Sequence, residues 1–247
     1  GPPEYSVIGD GGVVHTLWMV SDIAKIGRIT ASFDRLGAIY IADGHHRSAA
    51  ASRVAAIRQA ENPEHNGEEP YNSFLIVSFP KPEVQILDYN RVIKDLNGFS
   101  VADLVSRLGD SFAVEKSADP VKPDAVRTFG MYVKGQWYRL IGPGVLPDPA
   151  NPTADLDVSV LTTRVLSPIL GIEDPRTDSR IDFVGGIRGM RELEKRVNSG
   201  DWAVAFSLYP TSVDQLIAVA DANEIMPPKT TWFEPKLADG IVSLMLD

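Results

Sequence analysis

The segment AIYIADGHHRSAAASRVAAIRQ, residues 38–59, decides the expected organisation of the first part of the chain. An apolar run stops at Asp43 and Gly44, and an alanine-rich pattern follows the basic trio His45, His46 and Arg47. This order predicts a buried strand over residues 36–42, a tight turn, and a helix from about residue 44 to residue 60.

The turn between this strand and this helix has the composition of an anion site. Asp43 is expected to cap the helix and Gly44 to form the turn, which leaves the first N–H groups facing outward. His45, His46 and Arg47 add donors and positive charge where capping alone favours acidic residues. Phosphate is the ligand that such helix N-termini most often bind.

Two structural alternatives stand beside this hypothesis. One histidine, with His46 expected nearest the buried side, can be a hydrogen-bonded core residue, and Arg47 can form a surface ion pair. Asp43 is a candidate base or metal carboxylate as well as a candidate N-cap. Adjacent histidines are poorly spaced for a shared metal, so no dedicated metal site is expected.

The composition of the chain excludes several classes of function. The 247 residues carry a net charge of -9 and no cysteine. The charge argues against nucleic-acid and membrane surfaces, and the missing cysteines exclude disulfides and iron–sulfur clusters. No haem, flavin or structural zinc is expected. A cytoplasmic location is expected because no signal peptide or long apolar run is present.

Further along the chain, the pattern predicts an α/β or α+β fold with a mixed sheet. A first part over residues 1–142 is expected, followed by a linker over 143–156 and a second α/β part over 157–247 packed against the first. A helix is expected over residues 101–108, and a hairpin around Lys134 and Gly135. Asp157 is expected to cap a helix over 158–166. Strands are also expected over residues 13–21, 74–80 and 241–246.

Three other segments carry candidate ligand-binding residues. Asn90 and Arg91 follow a strand, and Gly186 with Arg188 lies between a strand and a helix, where N–H groups can face an anion. Capped turns and solvated helix faces explain the same residues without a ligand. The loop MPPKTTWFEPK, residues 226–236, offers the groups of Lys229, Thr230 and Thr231 on a proline-stiffened backbone. This loop is expected to reach the same cleft as the turn at residues 44–47.

Several of these motifs also carry a family resemblance. Five motifs carry it, and these are YIADGHHRSAA, VHTLWMV, ILDYNRVIKDLNG, IDFVGGIRGM and MPPKTTWFEPK. The chain is identified by these motifs as a member of the domain of unknown function 1015 family. The turn resembles that of the ParB-like and sulfiredoxin-like superfamily, which implies nucleotide phosphates at the strand-turn-helix. That superfamily includes kinases of free serine. Family members carry a further N-terminal region, which this chain is expected to lack.

The resemblance implies a phosphotransferase that uses ATP or ADP, with Mg²⁺ as a candidate cofactor, to phosphorylate a small hydroxylated metabolite such as free serine. Asp43, His45 and His46 are the catalytic candidates. Gly44, His45, His46, Arg47, Lys229, Thr230 and Thr231 are the phosphate-binding candidates. Two alternatives remain open, a phosphate-ester or nucleotide hydrolase and a non-catalytic nucleotide sensor. The expected partner is a small nucleotide or phosphate ligand, and the oligomeric state is left open.

Overall fold

The computed structural model of the chain describes residues 1–144, 148, 150–238 and 240–246. Two compact units are present, one formed by residues 1–79 with 235–247 and the other by residues 80–234. This division differs from the predicted boundary at residues 143–156, which falls inside the second unit. Residues 145–147 and 149 of that predicted linker lie outside the described residues.

The first unit contains a small hairpin and two helices. The elements are β1 (Tyr5–Ile8), β2 (Val14–Leu17), α1 (Ile23–Phe33) and α2 (His45–Glu61). Strands β1 and β2 pair antiparallel, and Asp22 caps α1 by accepting a hydrogen bond from the N–H of Lys25 at 2.9 Å.

Four strands were expected in this unit, and one of them forms. The strand expected over residues 13–21 is present in its first half as β2. The apolar runs at 36–42 and 74–80 form no strand, and neither does the described part of 241–246. Most of their large side chains are exposed, including Ile39 at 60% and Val77 at 56%. A strand exists only when another strand bonds to it, and no described segment pairs with these runs.

The second unit is built on a six-stranded sheet. The elements are β3 (Gln85–Leu87), β4 (Tyr89–Ile93), α3 (Val101–Leu108), β5 (Ala113–Ser117), β6 (Thr128–Val133), β7 (Gln136–Ile141), α4 (Asp157–Leu161), β8 (Ile181–Gly185), α5 (Gly189–Asn198), β9 (Val204–Leu208), α6 (Val213–Asp221) and β10 (Trp232–Glu234). The strand order of the sheet is β5-β7-β6-β9-β4-β8, and a separate pair is formed by β3 and β10.

Every strand pair among the described residues is antiparallel. The predicted combination of helices and strands is therefore confirmed as α+β, while the mixed strand directions expected from the sequence are not found. Strands on both sides of residues 143–156 bond in this one sheet, because β9 lies between β6 and β4.

Helices cover both faces of the large sheet. Along β4, Val92 packs in the cluster that contains Leu193 of α5, while Ile93 packs in the cluster that contains Leu104 of α3 and Leu161 of α4. Neighbouring strand residues point to opposite faces, so one strand contributes to both cores. The two apolar layers hold β4 rigidly from both sides.

The start of α4 differs from the prediction. Leu156, not Asp157, is the N-cap, and the helix passes after Leu161 into a π-helical turn over Thr162–Leu166. The carboxylate of Asp157 turns inward and accepts hydrogen bonds from the backbone N–H of Arg127 at 3.0 and 3.1 Å. Burial raises the pKa of Asp157 to about 6, against the lowering effect of its bonds to Arg127.

The helices of the described residues are not membrane spans. None of them combines the length and the apolar character that crossing a bilayer requires.

Candidate functional site

The turn before α2 keeps its N–H groups without a side-chain cap. Gly44 is the N-cap and has a φ of 90°, a left-handed conformation that favours glycine. No side chain of the described residues caps this helix. The prediction that Asp43 caps it is therefore wrong, since the Asp43 carboxylate accepts a hydrogen bond from the N–H of Gly44 at 2.7 Å, outside the helix.

The basic side chains of the turn lie on the surface. His45, His46 and Arg47 are all exposed, so His46 does not face a buried side as expected. The two imidazole rings lie against each other, with centroids 4.2 Å apart. The Arg47 guanidinium folds back over the turn, where its Nη2 lies 3.1 Å from the position that a Cβ of Gly44 would occupy. A side chain at position 44 would displace it.

A lysine distant in the sequence joins this turn. The ammonium of Lys236 forms an ion pair with the Asp43 carboxylate at 3.0 Å, and both residues belong to the first unit. The hydrogen bond from Lys236 lowers the pKa of Asp43, although partial burial opposes the shift. Lys236 was not a predicted site residue. No local pattern links it to Asp43 across 193 positions, although it belongs to the motif that contains Lys229.

A second group of predicted residues meets in the second unit. Arg91 is only 4% exposed, and its Nη2 donates to the backbone carbonyl of Lys229 at 3.0 Å. Its Nη1 donates to the carbonyl of Tyr89. Its guanidinium carbon lies 5.1 Å from the centroid of the Phe183 ring. Two residues that the sequence assigned to separate segments, Arg91 and Lys229, are thus in direct contact.

The threonines beside Lys229 have different surroundings. The hydroxyl of Thr230 is buried and donates to the carbonyl of Pro227, which stabilises the turn of the loop. Thr230 is therefore a structural residue rather than the phosphate ligand expected. Thr231 is partly exposed and Lys229 is exposed, so these two side chains remain reachable by a ligand.

Asn90, Gly186 and Arg188 are held by contacts within the protein. Asn90 is fully buried, accepts a hydrogen bond from the N–H of Leu208 at 3.0 Å and donates to Asp88. The N–H of Gly186 donates to the carbonyl of Asp88 at 2.7 Å, so it does not face an anion as expected. Arg188 is exposed and lies 3.8 Å from Glu192. These contacts favour structural roles for all three.

The glycines at positions 185 and 186 have a packing explanation. A Cβ on Gly185 would lie 2.4 Å from the ring of Trp232, and a Cβ on Gly186 would lie 2.2 Å from Oδ1 of Asp88. Contacts this short are not tolerated by real side chains. The Gly-Gly pair therefore makes room for Trp232 and Asp88.

The two groups of candidate residues lie in different units. Asp43 to Arg47 and Lys236 belong to the first unit, and Arg91 and Lys229 belong to the second. The expectation that the Lys229 loop shares a cleft with the turn at residues 44–47 therefore stays a prediction. Within the described residues, no group of three or more His, Cys, Asp or Glu side chains is arranged to hold a metal ion.

Comparisons with solved structures give distant similarities. Free serine kinase in complex with AMP is 13% identical, with a TM-score of 0.41, over 87% of this chain and 80% of that chain. A variant of free serine kinase in complex with ADP is 15% identical, with a TM-score of 0.40, over 78% and 66%. A conserved hypothetical protein from Pyrococcus furiosus is 14% identical, with a TM-score of 0.39, over 78% and 68%. At these values the similarities carry no argument about function.

A comparison with protein families is more decisive. No curated protein matches the chain significantly. A family model described as protein of unknown function (DUF1015) matches residues 1–159, which is more than half of the chain. The chain therefore belongs to the DUF1015 family.

Proposed function

We propose that the chain is a phosphotransferase that binds the phosphates of ATP or ADP at the N-terminus of α2 and phosphorylates a small hydroxylated metabolite. The observation that carries this proposal is the exposed turn at residues 43–47. There, an uncapped helix end, an αL glycine and the Arg47 guanidinium lie together. Each of these features favours an anion, and together they favour the phosphate of a nucleotide.

The electrostatics of the turn fit a phosphate better than they fit a neutral ligand. The 17 residues of α2 (His45–Glu61) place the positive end of the helix dipole at the turn. Arg47 offers a fork of N–H donors suited to phosphate oxygens. The acidic Asp43 is held in an ion pair with Lys236, so the negative charge next to the site is offset.

The residues of the turn also suit the transfer step. In that step the acceptor hydroxyl oxygen bonds to the terminal phosphorus while the bond to the bridging oxygen breaks, and the nucleotide leaves one phosphate shorter. Binding by N–H groups and Arg47 stabilises the charge on the transferred group. The hydroxyl proton passes to the imidazole of His45 or His46, both of which are exposed.

Asp43 is less suited to accept that proton. The hydrogen bond from Lys236 lowers its pKa, which makes its carboxylate a weaker base. Its proposed role is to hold Lys236 and the Gly44 N–H in place beside the phosphates. The proposed steps use the nucleotide, the acceptor and the chain's own residues, and Mg²⁺ held by the nucleotide phosphates is a candidate cofactor.

A turnover assay tests the proposal. The full chain is incubated with ATP or ADP, with and without serine and Mg²⁺, and both the shortened nucleotide and the phosphorylated acceptor are quantified by chromatography. We expect nucleotide turnover that depends on serine or on another small hydroxylated acceptor, with one phosphorylated acceptor formed for each nucleotide consumed. His45→Gln and His46→Gln together are expected to slow this turnover, with Arg53→Gln on the same helix as the control.

The two alternatives give different results in the same assay. Release of free phosphate without any acceptor favours a hydrolase, and saturable nucleotide binding without turnover favours a sensor. Either result would contradict the proposed transfer to an acceptor. The absence of nucleotide binding would contradict the proposed transfer, a nucleotide hydrolase and a nucleotide sensor.

A further inference from the structure

Arg91 carries a buried charge that has no ion-pair partner among the described residues. Its side chain is 4% exposed, and its contacts among the described residues are two backbone carbonyls and the ring of Phe183. No carboxylate of the described residues forms an ion pair with it. Buried charges in proteins are ordinarily paired with an opposite charge, so Arg91 is an exception.

The guanidinium nevertheless remains charged. Burial lowers the pKa of Arg91 to about 10, which is still well above neutral pH. The carbonyls of Tyr89 and Lys229 accept two of its N–H groups, and a guanidinium has five. The remaining donors and the uncompensated charge favour an external anion.

The backbone that Arg91 contacts carries a second cation, the ammonium of Lys229. Lys229 is exposed and has a φ of 53°, which a lysine rarely adopts. Its ammonium lies 5.8 Å from the centroid of the Tyr89 ring, and no carboxylate of the described part of the chain pairs with it. The carbonyl of the same residue is bound by Arg91. One hydrogen bond thus fixes the backbone that carries the second cation.

The sheet fixes Arg91 in turn. It lies on β4 between β8 and β9, opposite Phe183 on one side and Phe206 on the other. The Phe183 ring, which the guanidinium contacts, restricts the rotation of the side chain and lowers the local dielectric, which strengthens any hydrogen bond with an anion. A preorganised guanidinium loses little entropy when it binds.

We infer that Arg91 and Lys229 form an oxyanion-binding site in the second unit, with the Tyr89 ring as its wall, for a ligand that carries a carboxylate or a phosphate group. Both of its residues belong to the second unit, and this proposal does not depend on the proposed function. Arg91 contributes the planar fork and Lys229 the exposed charge that attracts the ligand.

The competing explanation is that Arg91 has only a structural role. In that case its bond to the Lys229 carbonyl fixes residues 226–231 on the sheet, and no ligand is involved. The two explanations differ in what they predict for Lys229. A structural role of Arg91 requires only the Lys229 carbonyl, whereas an anion site also requires the Lys229 ammonium.

Nuclear magnetic resonance of the Arg91 side chain separates these explanations. The full-length, ¹⁵N-labelled chain is titrated with inorganic phosphate and, separately, with acetate, at constant ionic strength set with sodium chloride, while the Nε–H signal of Arg91 is followed. We expect a saturable shift with at least one of the two probes, and the stronger binder identifies the ligand as a phosphate or a carboxylate. The Arg47→Ala chain should give the same shift.

Lys229→Gln is the decisive variant, because it removes the exposed charge and leaves the backbone carbonyl. Loss of a charged hydrogen bond should weaken the probe's apparent affinity about tenfold. Lys134→Gln is the matched control, since Lys134 is also exposed and has a φ of 47°, and it should bind like the parent chain. No saturable Arg91 shift with either probe, or an equal affinity in Lys229→Gln and the parent, would overturn the anion site.

Discussion

Arg47→Ala is expected to weaken the binding of ATP or ADP by about tenfold to a hundredfold. A hydrogen bond to a charged group contributes about 1.5–3 kcal/mol, and about 1.4 kcal/mol corresponds to a tenfold change in affinity. The same substitution should change the free energy of unfolding by no more than about 0.5 kcal/mol, because Arg47 is exposed. Calorimetric titration and denaturant unfolding measure the two effects.

Arg53→Ala provides the control for this prediction. Arg53 lies on the same helix and is also exposed, so its loss changes the net charge equally without touching the turn. Its affinity for the nucleotide should remain close to that of the parent chain. If both variants bind the nucleotide as tightly as the parent chain, Arg47 is not part of the site. If both lose affinity to the same extent, the effect comes from net charge alone.

The contribution of Asp157 to the free energy of unfolding is expected to fall as the pH rises from about 4 to about 6. Burial raises the pKa of this carboxyl to about 6 in the folded chain, from an ordinary value of 3.8. Between these values the folded state holds a proton that the unfolded state has released, so the stabilisation present at low pH is lost as the pH rises. The loss is on the order of 2–3 kcal/mol.

Urea unfolding of the parent chain and of Asp157→Asn, repeated across this pH range, measures that loss. The difference in unfolding free energy between the two chains should change with pH, because the amide does not titrate. Asp155→Asn is the matched control. Asp155 also forms an ion pair with Arg127, and this substitution leaves the Asp157 carboxyl unchanged. Parallel stability curves for the parent and Asp157→Asn would show that the pKa of Asp157 is not raised.

The elements that the sequence predicted well have signals within a few residues. Helix α3 begins and ends where predicted, because Ser100 and Asp103 form a capping box at its start. The hairpin of β6 and β7 turns at Lys134 and Gly135, which both have positive φ. Such local chemistry is readable from sequence because it needs no distant partner.

The elements that were predicted incorrectly depend on distant partners. The apolar runs at residues 36–42 and 74–80 have the composition of strands, but a ladder requires a second strand that the composition does not specify. The two predicted aspartate caps fail for a related reason. Asp43 bonds to Lys236, and Asp157 bonds to Arg127, and neither partner is near in sequence.

Some features of the candidate site were also predictable from the sequence, and others were not. The basic turn at residues 45–47 was identified because three charged or imidazole side chains at a helix start oppose ordinary capping. The contact between Arg91 and the Lys229 carbonyl joins positions 138 residues apart, and no periodicity or motif spacing indicates it. The role of Gly186 depended on the close approach of Asp88, which a sequence does not reveal.

The central claim is that the N-terminus of α2 binds the phosphates of a nucleotide. The most direct test is a titration of the ¹⁵N-labelled chain with ADP while the backbone amide signals of His45, His46 and Arg47 are followed. We expect these three amides to shift together and to saturate with one dissociation constant, because their N–H groups are the uncapped donors of the helix. Unchanged signals from these amides at saturating ADP, or the absence of any ADP binding, would contradict the claim.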